Sequence, residues 1–146
     1  MIGKWKGTYE YNPRKGFENS NLNPVEFDLE ITAFESGSFS GNVQDNVEMG
    51  GTLGIGSISG EQQDDHIVFE KNMPFQTMHL QNGERTTNEN KKHPTIVYAG
   101  KLNEDNNTIT GTWKFKTPKF MWVSLLPWWY DLGNGTFRMH KISEDF

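Results

Sequence analysis

From Val25 to Ala33 the chain alternates without a break. Val25, Phe27, Leu29, Ile31 and Ala33 are apolar, and Glu26, Asp28, Glu30 and Thr32 are polar. A period of two is the pattern of a strand with one buried face. The same pattern predicts a strand over 2–11, with Trp5, Gly7, Tyr9 and Tyr11 on one side and Lys4, Lys6, Thr8 and Glu10 on the other. After "ESGS", a turn sequence, Phe39, Gly41, Val43 and Asp45 share a face. "GGTLGIGSISG" is rich in glycine but keeps Leu53, Ile55 and Ile58, and glycine at this density points to bends or close packing in a curved sheet. "HIVFEK" (66–71), "TIVYAGKL" (95–102), "TITGTWKF" (108–115) and "GTFRMHK" (135–141) extend the series, with a further short strand expected near 75–80.

The connections are of two kinds. "NEDNN" at 103–107 predicts a tight hairpin, because Asn and Asp tolerate left-handed backbone angles. Residues 12–24 and 82–93 read instead as long polar loops. No segment has a helical period long enough for a principal element; a short helix within 118–130 is the one exception the pattern allows.

Eight or nine antiparallel strands with mostly short turns predict a single all-β domain over 1–146, an up-and-down β-barrel. A sandwich would need Greek-key crossings that the hairpins do not provide. The inward set is large and aromatic: Trp5, Tyr9, Phe27, Phe39, Phe69, Tyr98, Trp113 and Phe137. An eight-stranded barrel is just wide enough for such side chains and one small ligand.

Composition narrows the partners. The net charge of -5 argues against nucleic acid, which requires a concentrated basic surface. The one basic cluster, "KKH" at 91–93, reads as a solvated loop. With no cysteine there is no disulfide or thiol chemistry, which fits a reducing compartment. The N-terminus "MIGKWKGTYEY" has no apolar leader pattern, so the expected location is cytoplasmic. No apolar run reaches the roughly 18–20 residues of a spanning helix.

"GKWKGTY", with Gly3 and Trp5, carries the Gly-x-Trp pattern of the lipocalin-like barrels. "IVFEK", "IVYAGKL", "ITGTWKF" and "GTFRM" follow in an order similar to the lipocalin and avidin-like calycins, with Gly100, Gly111 and Trp113 as fixed points. The resemblance covers most of the chain. It implies a barrel that holds a small apolar or amphipathic molecule in its interior. Avidin-like proteins have an asparagine two residues after the first tryptophan to meet biotin; Gly7 stands there, so biotin is not implied. Lipocalins often pack an arginine of the last strand over that tryptophan. Arg138 is the candidate by position, but alternation puts it on the face opposite Phe137 and Met139. Some barrels of this kind are enzymes, among them phenolic acid decarboxylases and allene oxide cyclases, but none of their signatures is evident here.

Candidate chemistry is sparse. His66, His79, His93 and His140 are isolated, and no metal-ligand spacing occurs. "NEDNN" has calcium-loop composition without the ligand spacing, and no glycine-rich loop opens a helix to cradle phosphate. No metal or cofactor is expected. What remains are polar residues on the inward face: Tyr9, Tyr11, Asp45, Lys71 and Tyr98. Either Asp45 and Lys71 reach solvent at strand ends and the tyrosines are core, or several line a mouth and orient an apolar ligand. The candidate ligand-binding set is therefore the eight aromatics with Asp45 and Lys71. The reading favoured over an enzyme is binding of a small, largely apolar molecule. The alternatives are acid–base catalysis by Tyr, Asp and Lys in the same cavity, or a filled barrel acting as an assembly module.

"FMWVSLLPWWY" (120–130) departs from the pattern. It gathers Trp122, Trp128 and Trp129 within an insertion at 117–134, in a chain of mean hydropathy -0.74. It reads as a plug or lid over the barrel mouth, as a contact in a homo-oligomer, or, disfavoured by the acidic net charge, as a membrane-surface anchor.

Overall fold

The computed structural model describes residues 1–12, 24–49, 51–74, 76–79, 85–88, 95–116 and 134–144. The strands are β1 (Gly3–Tyr11), β2 (Val25–Glu35), β3 (Ser38–Asp45), β4 (Ile55–Gln63), β5 (His66–Asn72), β6 (Gln76–His79), β7 (Arg85–Asn88), β8 (Ile96–Leu102), β9 (Thr108–Phe115) and β10 (Asn134–Ser143). Eight of them close into one antiparallel barrel in the order β1-β10-β9-β8-β5-β4-β3-β2, and β6 and β7 pair separately. Each barrel strand lies beside its neighbour in sequence, except that β6–β7 intervene between β5 and β8. The architecture is thus the expected up-and-down barrel, and closure of β1 onto β10 leaves no free edge. A single 3-10 turn, Val47–Met49, is the one helical element among the described residues.

The two ends differ. At one end strands join through tight turns. Ser36 and Gly37 connect β2 to β3, both with positive φ (52° and 87°), as a two-residue hairpin of right-handed twist requires. Residues 64–65 connect β4 to β5. Residues 103–107 connect β8 to β9, where Asn103 Oδ1 accepts from Asn107 N and Thr108 N and Asp105 Oδ1 from Asn107 N. At the other end every connection is long: 12–24, 46–54, 73–95 and 116–133. Antiparallel alternation puts successive connections at alternate ends, and in this chain the long ones share one end. Trp122, Trp128 and Trp129 themselves lie outside the described residues, as do His93 and the "KKH" cluster.

The alternation translates into burial with local exceptions. Val25, Phe27, Leu29 and Ile31 are buried, but Ala33 is exposed, because a register shift between Ile31 and Ala33 ends the alternation there. Of the apolar residues in the glycine-rich segment, Leu53 and Ile55 are exposed and Ile58 is buried. Residues 82–93, expected to be a loop throughout, include β7. Arg138 is exposed, with Thr8 as its register partner, and does not cover Trp5. Trp5 is paired in register with Lys141 instead, and its indole Nε1 donates to the Met1 carbonyl at 2.9 Å.

The inner wall alternates glycine with large rings, the usual solution for a small barrel. A Cβ on Gly7 would meet the tip of Phe27 at 2.3 Å, and one on Gly100 the tip of Phe137 at 3.0 Å. The close packing expected of the glycine-rich segments is therefore present, and it makes room for rings. The middle of the barrel is filled. Phe69 stacks on Tyr98 with centroids 4.7 Å apart, and Phe137 meets Tyr98 edge-on at 5.0 Å. Phe39 and Phe27 complete the group from β3 and β2, at 6.2 Å from Phe69 and 6.3 Å from Tyr98.

Candidate functional site

All ten inward candidates are buried: Trp5, Tyr9, Phe27, Phe39, Asp45, Phe69, Lys71, Tyr98, Trp113 and Phe137. They separate into levels. Trp5 lies toward the tight-turn end, Phe39, Phe69 and Phe137 belong to the filled middle, and the polar members gather toward the loop-bearing end. There β1, β3, β5 and β9 contribute Tyr9 and Tyr11, Asp45, Lys71, and Trp113.

Asp45 and Lys71 do not reach solvent, contrary to the simpler sequence expectation. Lys71 Nζ donates to Asp45 Oδ1 at 2.5 Å, with side-chain exposures of 2% and 1%. Strand-end position does not open them to water, because the 46–54 connection folds back over the carboxylate. Thr52 N donates to Asp45 Oδ2 at 3.2 Å, and Asn46 O accepts from Met49 N and Gly51 N to shape the turn. The other donor to Asp45 Oδ2 is the Tyr9 hydroxyl, at 3.2 Å. The carboxylate is thus met by an ammonium, a phenol and a backbone amide, the kind of compensation a buried charge needs.

β4 separates the strands that carry this pair. Its inward residue at that level is Gly56, and a Cβ there would come within 2.5 Å of Met73 Sδ and 2.6 Å of Asn72 O. At this level of β4 the inner wall thus carries no side chain, and Met73 packs against the glycine.

Lys71 Nζ also faces rings: Tyr9 at 4.9 Å to the centroid, Phe27 at 5.8 Å and Tyr98 at 5.9 Å. An ammonium gains from such faces when it is out of water. Trp113 (β9) stands across the barrel from β3 and carries an aromatic group. Tyr11 meets it edge-on at 5.0 Å, Tyr9 at 5.8 Å and Phe115 at 5.8 Å. Its indole Nε1 donates to the Glu10 carbonyl at 3.1 Å, an approach that glycine at 135 permits. The loop-bearing end thus has a polar wall on β3 and β5 and an aromatic wall on β1 and β9, and Tyr9 touches both.

Two phenols here are held protonated. Burial, and next the negative charge of Asp45, push Tyr9 well above the ordinary value near 10. The same causes in the same order push Tyr98 well above it. Both are therefore hydrogen-bond donors at neutral pH, not bases. Tyr9 uses its proton on Asp45. The Tyr98 hydroxyl has no hydrogen-bond partner among the described residues.

A separate groove of about 590 Å³ lies on the outer surface, lined by Lys6, Gly7, Thr8, Glu10, Glu26, Thr136, Phe137, Arg138 and His140. Its charges are mixed, and Lys6 and Glu26 face each other at 3.9 Å while half exposed. The interior cluster has the stronger chemistry, because its groups are withdrawn from water. No cluster of three metal-ligating side chains occurs among the described residues, and none of their helices is long and apolar enough to cross a membrane.

Comparison with known proteins finds no matching family model, no matching curated protein and no matching solved structure.

Proposed function

We propose that this barrel binds a small, largely apolar molecule at its loop-bearing end, between the aromatic wall of Tyr9, Tyr11 and Trp113 and the polar wall of Asp45 and Lys71. The observation that carries this reading is the buried Lys71–Asp45 pair beside the Tyr98 hydroxyl, which has no hydrogen-bond partner among the described residues. A buried ion pair contributes little net stability compared with apolar residues of the same volume. Its placement inside an aromatic barrel, at the end from which the long connections leave the strands, is what a site needs when a few polar groups orient an apolar body. The filled middle sets the depth, so the ligand sits above Phe69, Tyr98 and Phe137 and does not run the length of the barrel.

Membership in the lipocalin-like calycins is part of the same reading, supported by Gly3 and Trp5 on β1 and by the up-and-down order. The absence of cysteine supports a reducing location, the cytoplasm.

Titration with 1-aminoanthracene, a neutral apolar fluorophore, tests the reading. Saturable one-to-one binding with a blue-shifted, enhanced emission is expected. A barrel filled to its rim would give no enhancement, and the binding function would then be rejected.

A further inference from the structure

The ligand's polar group is legible in the charge balance of the site, an inference that rests on the binding reading above. Lys71 and Asp45 together carry no net charge, and they do so wherever the shared proton sits. Tyr9 and Tyr98 are neutral, because burial and Asp45 hold their protons in place. The cluster therefore has no spare positive charge for an incoming anion. A buried carboxylate brought to it would be uncompensated, which is strongly unfavourable.

Unspent hydrogen-bond donors do remain. An ammonium has three N–H groups. Among the described residues Lys71 meets one oxygen acceptor, Asp45 Oδ1, and otherwise faces the rings of Tyr9, Phe27 and Tyr98. The Tyr98 phenol is a fully buried O–H without a partner among them. Asp45 already receives three donors, Lys71, Tyr9 and Thr52. What the site holds out to a ligand is buried donors.

From this we infer that the ligand is an uncharged molecule whose polar end is an oxygen acceptor, a carbonyl above all, received by the Tyr98 hydroxyl and the free N–H groups of Lys71. A carboxylate of the same skeleton is discriminated against by its charge.

Displacement of bound 1-aminoanthracene by decan-2-one and by decanoate, in wild type and Tyr98→Phe, tests the assignment. Decan-2-one should displace the dye at a concentration at least about tenfold lower than decanoate, the scale of one hydrogen bond or more. Tyr98→Phe should weaken decan-2-one about tenfold relative to decane, which lacks the carbonyl, each read by displacement of the dye from the same variant. The thermal midpoint of Tyr98→Phe should not fall, because the hydroxyl it removes has no partner among the described residues. Decanoate displacing as well as the ketone would overturn the assignment while leaving the binding function standing. A fall in the midpoint of Tyr98→Phe would overturn it too, by showing that the hydroxyl is already engaged. Failure of the dye itself to bind would instead remove the binding function on which the assignment rests.

Discussion

Lys71 Nζ lies 2.5 Å from Asp45 Oδ1 across β4, with both side chains withdrawn from water. Two strands that are not neighbours in the barrel are thereby tied across its interior, with β4 between them.

Breaking that pair from one side should be far worse than removing it. Lys71→Met leaves a buried carboxylate and should cost about 3–5 kcal/mol. The double variant Asp45→Asn/Lys71→Met keeps an oxygen for Tyr9 and Thr52 and should recover most of the loss. Urea denaturation of the wild type, both single variants and the double variant gives the coupling directly. Additive losses would mean that the two residues do not act as a pair.

The two buried tyrosines should respond differently to loss of the hydroxyl. Tyr9→Phe removes a donor to a buried carboxylate and should destabilise by about 1–3 kcal/mol. Tyr98→Phe should be neutral or slightly stabilising. Equal losses in denaturant midpoint would contradict the hydrogen-bond assignment.

High pH should unfold the protein through these phenols. In the unfolded chain they ionise near 10, whereas in the fold burial and Asp45 keep them protonated. The unfolded state therefore binds fewer protons above pH about 10, and stability falls as pH rises from there. Below that pH their contribution is fully present. Absorbance near 295 nm should show Tyr9 and Tyr98 ionising together with loss of the fold, and Tyr9→Phe/Tyr98→Phe should flatten the alkaline decline.

Much of this fold was legible in the chain, and the exceptions have local causes. Strict alternation in β2 and the Asn/Asp chemistry of 103–107 fixed a strand and a hairpin, because both depend on neighbouring residues alone. Ala33 was misplaced because a bulge leaves no mark in an apolar/polar pattern. The exposure of Leu53 and Ile55 beside buried Ile58 was not legible, because apolar character does not reveal which face a strand turns to solvent. β7 is "RTTN", too polar to separate from its loop by composition. For the site, alternation put Asp45 and Lys71 on the inner face. Their burial depended on the 46–54 connection and their pairing on the register of β3, β4 and β5, and neither is a local property.

Gly56 provides a check on that register. Gly56→Ala should place a methyl against Met73 Sδ and Asn72 O and cost about 1–3 kcal/mol, as overpacking in a tight wall does. Gly54→Ala would not serve as a control, since Gly54 has a φ of 100° and is strained by any side chain. Ser57→Ala, outward on the same strand, should be near neutral. Similar midpoints for Gly56→Ala and Ser57→Ala would contradict the inward placement of residue 56.

The most direct test of the binding site is its location by solution NMR. Backbone and aromatic resonances would be followed as 1-aminoanthracene is added to the full chain. The largest shifts should fall on Tyr9, Asp45, Thr52, Lys71, Tyr98 and Trp113, with little change at the tight-turn end. Shifts concentrated instead on Lys6, Thr8, Thr136, Arg138 and His140 would place binding in the outer groove and contradict an interior site.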